Sequence, residues 1–174
     1  QSQVQMNVAL HVDGFRSGNH RLVPKFKMKE DIPKVIHYCW FGGAEFNPLI
    51  KDCITTWEDK LPDYQFIKWD ESNAPMNHPV IKKAISQKKW AFASDYMRLK
   101  ALSDHGGVYL DTDMEVVKDF SIMLKHDLFL GYESDEHVNA GILGAKKGHP
   151  IILNAIKIME GRVRDNMPFI SIPN

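Results

Sequence analysis

Residues 106–113 read GGVYLDTD. Within this stretch, Val108–Thr112 is short, apolar at its start and acidic at its end, which is typical of a central strand covered on both faces. The preceding stretch, from about Trp90 to His105, has a helical pattern and is ended by the two glycines. This order predicts a helix that leads directly into a buried strand, with acidic side chains where the strand ends.

The segment upstream of this strand has the pattern of a β-α-β unit. Lys34–Trp40 and Tyr64–Trp69 are apolar, β-branched and aromatic runs of strand length. Between them, Asn47 and Pro48 are typical of a helix start, and apolar residues follow at helical spacing. Such a unit normally forms parallel strands joined by a right-handed crossover. Further elements are expected downstream, namely helices beginning at Pro79 and Pro150 and strands over Leu128–Tyr132 and Ala140–Ala145. The order of elements predicts an α/β fold, doubly wound or nearly so.

The composition is that of one globular domain without a dominant charge. The chain has 174 residues, of which 22 are Lys or Arg and 22 are Asp or Glu. A net charge of zero excludes a global field for nucleic acid or an anionic membrane. No apolar run has the length of a membrane span, the amino end lacks a signal-peptide pattern, and Cys39 and Cys53 are too few for a disulfide framework. We therefore expect a cytoplasmic protein with no nucleic-acid partner, a domain over residues 32–174 and an unassigned amino-terminal arm over residues 1–31.

The acidic end of the predicted strand carries Asp111 and Asp113. Residues i and i+2 of a strand lie on the same side, so both carboxylates would sit at the carboxyl edge, where open α/β sheets bind ligands. Carboxylate oxygens suit Mg²⁺ or Mn²⁺, and such ions hold phosphate oxygens at nucleotide sites. On spacing alone, an exposed acidic turn is an equally good interpretation.

Asp95 and Arg98 lie three residues apart in the preceding helix and so share one of its faces. A carboxylate and a guanidinium side by side can bind sugar hydroxyls and neutralise phosphate. Taken alone, an ordinary surface ion pair explains them better. The helix, however, runs through Gly106 and Gly107 straight into the acidic strand. This continuity predicts that the pair and the two aspartates share one neighbourhood.

Several segments together resemble glycosyltransferase family 32, whose members carry a DxD motif. The segments ASDYMR at residues 93–98 and GGVYLDTD at residues 106–113 resemble the signature of that family. The segment IPKVIHYCWFGG at residues 32–43 is similar to its opening strand, and NAG and GHP within residues 139–150 are similar to its later block. The resemblance covers residues 32–160, and it extends more distantly to the large clostridial glucosylating toxins.

This resemblance implies a GT-A type, Rossmann-like nucleotide-sugar-binding fold with a mixed, mostly parallel sheet flanked by helices. It also implies a UDP- or GDP-sugar donor, Mn²⁺ or Mg²⁺, retention of the anomeric configuration, and a saccharide or other hydroxyl acceptor, as in surface polysaccharide synthesis. Peripheral association with the inner face of a membrane is compatible with such a role. Because the family usually continues beyond this length, the core is expected to be shortened at its carboxy end.

Carried over position by position, the resemblance gives each motif residue a role. Asp95 and Arg98 would contact the transferred sugar and act in catalysis. Asp111 would contact ribose or sugar hydroxyls, and with Asp113 it would complete the catalytic group and hold the metal. The other donor-binding residues are Trp40 against the base, the adjacent Gly42 and Gly43, Tyr109 beside the donor, and Asn139 toward the sugar or acceptor. Structural alternatives exist for three of these residues. Trp40 would instead be a core tryptophan, Tyr109 an inward core tyrosine and Asn139 a loop-capping amide.

Two other functions stay open. In a phosphatase of the aspartyl-nucleophile type, Asp111 would be the nucleophile and Asp113 the acid, although that class usually carries the motif on its first strand. A non-catalytic module that binds nucleotide sugar is the second alternative. His37, in the first predicted strand, is expected to be a core histidine rather than a catalytic base.

Overall fold

A computed structural model describes residues 31–134 and 137–168. The unassigned arm over residues 1–31 lies outside the described residues apart from Asp31. The elements in chain order are β1 (Val35–Cys39), α1 (Pro48–Lys60), β2 (Gln65–Trp69), α2 (Pro79–Ser86), α3 (Trp90–His105), β3 (Gly107–Leu110), a 3₁₀ helix (Ser121–Lys125), β4 (Leu128–Ser134), β5 (His137–Ala145) and α4 (Pro150–Arg164). In the described part of the chain, no helix has the length and apolar character that crossing a membrane requires.

The strands form one mixed sheet in the order β2-β1-β3-β5-β4. β1 pairs in parallel with β2 and with β3, whereas β5 is antiparallel to both β3 and β4. All strands except β5 therefore run in the same direction, which confirms the predicted mixed, mostly parallel sheet. The carboxyl ends of β1, β2 and β3 meet at one edge, where sheets of this kind bind ligands.

Helices cover both faces of the sheet, as the doubly wound pattern predicts. On one face, buried residues of α2, α3 and α4, among them Tyr96 and Ile152, pack together with the sheet. On the other face, Trp57 of α1 packs with Leu124 of the 3₁₀ helix and with Leu110 of β3. The central strands are thus buried from both sides, which explains their apolar sequences.

Local sequence signals set the ends of two helices that frame the site. Asn47 Oδ1 accepts a hydrogen bond from the Ile50 backbone N–H at 3.0 Å, and Pro48 opens α1, so the predicted helix start is confirmed. Gly106 ends α3 with φ of +68°, and a Cβ atom there would lie 2.8 Å from the backbone nitrogen of Lys147. Only glycine fits this turn, and it lets α3 pass directly into β3.

The end of β3 differs from the prediction. The strand stops at Leu110, earlier than predicted, and the Met114 N–H donates to the Asp111 carbonyl oxygen at 3.1 Å to close a turn. Trp57 of α1 then donates its indole N–H to the Met114 carbonyl oxygen at 2.6 Å and draws this segment toward the helix. Asp111 and Asp113 therefore lie on a turn, and the prediction that a strand places them on the same side was wrong.

His37 is fully buried in β1, as expected for a core histidine. Its Nδ1 accepts a hydrogen bond from the indole N–H of Trp69 at 3.1 Å, so the ring proton is on Nε2, which donates to the Gly106 carbonyl oxygen at 2.8 Å. Burial lowers the pKa of His37 to about 4; the bond to Gly106 opposes this shift and His105 adds a smaller downward effect. The ring is therefore neutral in the folded protein near neutral pH.

We expect this histidine to make the protein less stable in mild acid. The unfolded chain protonates His37 at its ordinary pKa of 6.5, and the folded protein does so only at about 4. The neutral ring therefore contributes full stability above the first value, and this is lost progressively as the pH falls toward the second, a loss on the order of 3 kcal/mol. Urea unfolding over this pH range measures the loss, and an NMR titration assigns it. A His37 ring that titrates near its ordinary pKa in the folded protein would contradict the explanation.

Candidate functional site

The guanidinium of Arg98 connects three elements at the carboxyl edge of the sheet. Its Nη2 lies 2.7 Å from Asp95 Oδ1 on α3 and 3.4 Å from Asp111 Oδ1 after β3. Its Nη1 donates to the Ala140 carbonyl oxygen on β5 at 2.8 Å. The Arg98 side chain is only 12% exposed, so these contacts form largely away from bulk water. The structure therefore joins the helix pair and the first aspartate of the motif in one cluster, which we call the Arg98 cluster (Asp95, Arg98, Asp111).

Tyr109 supports this cluster from inside the sheet. The side chain is buried, and its hydroxyl donates to Asp111 Oδ1 at 2.8 Å. The guanidinium carbon of Arg98 lies 4.5 Å from the centre of the Tyr109 ring, a cation–π contact. In this structure Tyr109 orients two members of the cluster, which is the inward position that the sequence left as an alternative.

The cluster holds two carboxylates and one guanidinium at a partly buried site. Burial raises the pKa of Asp95; Arg98 opposes this rise and Asp111 adds to it. Burial by itself would lower the pKa of Arg98, but Tyr109 and the two carboxylates outweigh it, so the pKa is raised and the guanidinium stays charged. Arg98 Nε is buried and has no hydrogen-bond partner in the described part of the chain. An unsatisfied buried donor costs about 1–3 kcal/mol, so a ligand oxygen or a water molecule that binds it would remove a real penalty.

The two aspartates of the motif are held differently. Asp111 Oδ1 faces both the Arg98 guanidinium and the Tyr109 hydroxyl, whereas Asp113 is exposed on the turn. Over residues 31–134 and 137–168, no group of three or more His, Cys, Asp or Glu side chains forms a ready metal site. Mg²⁺ and Mn²⁺ are commonly held at nucleotide sites by one or two carboxylates plus water and phosphate oxygens. The oxygens present here fit a divalent cation that binds together with a diphosphate.

Trp40 follows β1 at the same edge of the sheet and is half-buried. Its indole N–H donates to the Ala44 carbonyl oxygen at 2.6 Å, and its ring meets Phe46 edge-on with ring centres 4.8 Å apart. The preceding residue, Cys39, is buried; burial raises the pKa of its thiol to about 12, and Arg98 is near enough to oppose that shift. Trp40 therefore lies at a strand end, one residue beyond Cys39, in an aromatic pair outside the two buried cores.

Gly42 and Gly43 form the turn that follows, with φ values of +93° and +67°. A Cβ atom on Gly42 would lie 3.0 Å from ring atoms of Trp90, and the Gly42 N–H donates to Glu71 Oε1 at 2.6 Å. A Cβ atom on Gly43 would meet nothing within 4 Å. Both positions favour glycine by conformation, but only Gly43 leaves open space beside the chain.

The Asn139 side chain bonds to the backbone of its own strand. Its Oδ1 accepts a hydrogen bond from the Gly141 N–H at 2.5 Å. The next two carbonyl groups serve the cluster, because Ala140 binds Arg98 and Gly141 accepts the Asp111 N–H, each at 2.8 Å. Sequence reasoning did not single out Ala140 or Gly141, since a carbonyl oxygen acts whatever the side chain. Their one signal was membership of the NAG block.

An open cavity of about 470 Å³ lies near the amino ends of β1 and β2, away from the cluster. Its walls carry both signs of charge, including Lys34, Asp63 and Lys118. No predicted site residue lines it. Its size alone indicates no chemistry, whereas the Arg98 cluster combines burial, charge and an unsatisfied donor.

A profile of the glycosyltransferase sugar-binding region containing the DXD motif matches residues 48–130. Residues 48–130 therefore carry the glycosyltransferase sugar-binding region with its DXD motif. The match spans α1 through the first part of β4, and it includes the whole Arg98 cluster and Asp113. The resemblance to this family that the sequence showed is therefore confirmed.

Two fungal proteins are similar to this sugar-binding region. Over 139 aligned residues, the chain is 27% identical to inositol phosphoceramide mannosyltransferase 3 of Schizosaccharomyces pombe. This alignment covers 72% of the chain and 36% of that protein. Over 159 aligned residues, it is 28% identical to mannosyl phosphorylinositol ceramide synthase CSH1 of Saccharomyces cerevisiae. This second alignment covers 85% of the chain and 39% of that protein. The chain thus spans less than half the length of these relatives.

A solved structure supports the fold. The PaToxG glycosyltransferase superposes with a TM-score of 0.64 over 78% of this chain and 62% of its own, at 22% sequence identity. This likeness confirms the predicted GT-A type α/β fold of the sugar-binding region.

Proposed function

We propose that this region is the donor-binding core of a metal-dependent, retaining glycosyltransferase that moves a hexose from a UDP- or GDP-sugar to a saccharide or other hydroxyl acceptor. The observation that carries the proposal is the buried Arg98 guanidinium, which joins Asp95 and Asp111 at the ligand-binding edge of the sheet. Both fungal relatives are named for the transfer of mannose, so mannose is the first hexose to test.

In this proposal, each residue at this edge binds a different part of the nucleotide sugar. Asp95 accepts hydrogen bonds from sugar hydroxyls, and Arg98 neutralises donor oxygens and orients both carboxylates. Asp111 binds ribose or sugar hydroxyls, and Trp40, beside the open turn at Gly43, packs against the base. The retaining reaction then has the acceptor hydroxyl attack from the face that the leaving group vacates.

Asp113, with Asp111 as its partner, is the residue proposed to hold Mn²⁺ or Mg²⁺. The exposed Asp113 carboxylate is free to turn toward a cation, whereas Asp111 is anchored by Tyr109 and Arg98. A cation bound there supplies charge neutralisation to the departing nucleoside diphosphate. Transfer at an inner membrane face in surface polysaccharide synthesis, by a cytoplasmic enzyme, remains a prediction within this proposal.

The test is release of nucleoside diphosphate from a panel of UDP- and GDP-hexoses, with Mn²⁺ or Mg²⁺, by the full chain. We expect one donor to be turned over and a simple phosphomonoester to be left intact, because the motif follows the third strand here and not the first, where that class of phosphatase usually carries it. Donor binding without any turnover would identify a binding module instead. Phosphomonoester hydrolysis, or no binding of any donor, would overturn the proposal.

A further inference from the structure

β5 is irregular where it passes the Arg98 cluster. On its β4 side, Leu130 pairs with Leu143, but the next β4 residue, Gly131, pairs with Asn139. Residues 140–142 of β5 are therefore an insertion without partners on β4. Bulges of this kind bend a strand and are common beside active sites, where they aim groups that a regular strand would not.

The inserted residues are used by the site. The Ala140 carbonyl oxygen accepts from Arg98 Nη1, and the Gly141 carbonyl oxygen accepts from the Asp111 backbone N–H, both at 2.8 Å. The bulge therefore contacts the guanidinium and the backbone of the first motif aspartate at the same time. A regular β5 would continue its ladder with β4 and would not offer both carbonyls to the cluster.

Gly141 has little room for a side chain unless its neighbours move. A Cβ atom there would lie 2.7 Å from Asn139 Oδ1, 3.2 Å from Met114 Sδ and 3.3 Å from Asp111 Oδ2. Contacts below 3.0 Å do not occur for real Cβ atoms, so something must move. These atoms are the ends of three side chains: Asp111 and Met114 on the turn after β3, and Asn139 on β5. A methyl group here would therefore push the Asn139 amide aside and press on Asp111 Oδ2, which would have to move by a few tenths of an ångström.

We infer that Gly141 is a positioning residue of the donor site. Because Gly141 has no side chain, β5 packs closely against Asp111 and keeps the Asp111 carboxylate and the Arg98 guanidinium in contact with each other. This inference rests on the proposed function for its consequence, but its physical basis is the packing of Gly141 on Asp111. A methyl group at Gly141 would crowd Asp111 Oδ2, the oxygen that does not accept from the Tyr109 hydroxyl.

Three glycine-to-alanine variants separate positioning from folding. Gly141→Ala is expected to lower the turnover of the donor that the wild-type chain uses at least tenfold, with a loss in unfolding midpoint that is measurable but smaller than that of Gly144→Ala. Gly161→Ala, in α4 with only Arg164 Nη2 at 3.6 Å, should leave both unchanged or raise the melting temperature. Gly144→Ala places its Cβ in the ring of Phe129, so it should lower the melting temperature markedly while the folded fraction keeps its turnover. A Gly141→Ala enzyme with wild-type turnover would overturn the inference.

A second measurement does not depend on activity. The loss in unfolding midpoint caused by Gly141→Ala is compared in the wild-type, Asn139→Ala and Asp111→Ala backgrounds. If Gly141 packs as inferred, the loss shrinks in both backgrounds, because each removes an atom that the methyl group meets. An equal loss in all three backgrounds would contradict the inference. If the wild-type chain turns over no donor, the proposed function fails, and this coupling alone decides whether Gly141 positions Asp111.

Discussion

Replacing Arg98 with lysine is expected to lower sugar transfer by about a hundredfold or more. The terminal nitrogens of the guanidinium contact Asp95, Asp111 and the backbone of Ala140 together. Lysine keeps the positive charge but offers one point donor in place of the planar fork, so it cannot hold all three groups in the same geometry. Initial rates with the donor that the wild-type chain uses measure the effect.

Arg98→Ala should in addition lower the free energy of unfolding, because it leaves partly buried carboxylates without a counter-charge, a change that typically costs about 3–5 kcal/mol. Arg164→Ala is the matched control. That side chain is 79% exposed at the end of α4, and its Nε lies 3.5 Å from neighbouring Asp165; such pairs contribute little. Urea unfolding should separate the two alanine variants. Wild-type transfer by Arg98→Lys would show that the fork has no part in the reaction.

Asp113→Ala is expected to abolish metal-stimulated transfer, with a loss of about a hundredfold or more, while the melting temperature changes little. The carboxylate is exposed on the turn after β3, so its removal creates no cavity and breaks no buried network. The proposed role is to hold the cation that accompanies the diphosphate, and alanine supplies no ligand oxygen. Rates measured across a Mn²⁺ titration distinguish weakened metal binding from a loss that no metal concentration restores.

Asp63→Ala is the control for the loss of an exposed carboxylate. Asp63 is 81% exposed and lies 3.6 Å from Lys34 at the opposite edge of the sheet. Its removal should leave both the rate and the Mn²⁺ dependence at wild-type values. If Asp113→Ala behaved in the same way as this control, the metal role of Asp113 would be wrong, and the cation would have to bind elsewhere.

The elements that the sequence predicted well have strong local signals. α1 begins at Asn47 and Pro48, and α3 ends at Gly106, because capping side chains and a glycine turn act within a few residues. The meeting of Asp95 and Arg98 with the motif also followed from local continuity, since α3 leads straight into β3. Helix spacing and chain direction were sufficient for that part of the site.

The errors and omissions lie where distant segments decide the structure. β3 stops early because the indole N–H of Trp57 binds the Met114 carbonyl oxygen, a contact across 57 residues that the motif itself does not encode. The bulge at Gly141 depends on the pairing of β5 with β3 on one side and with β4 on the other.

The most direct test of the account is the melting temperature of the full chain with a panel of UDP- and GDP-sugars, each with Mn²⁺ and with a chelator. A ligand that binds the native state raises the melting temperature, and the rise grows with the logarithm of the ligand concentration relative to Kd. We predict that one nucleotide sugar raises it with Mn²⁺, and that the rise disappears with the chelator and in Asp113→Ala. A panel in which no donor changes the melting temperature, or a rise that is equal in Asp113→Ala, would contradict the claim that this edge of the sheet binds a cation and a nucleotide sugar together.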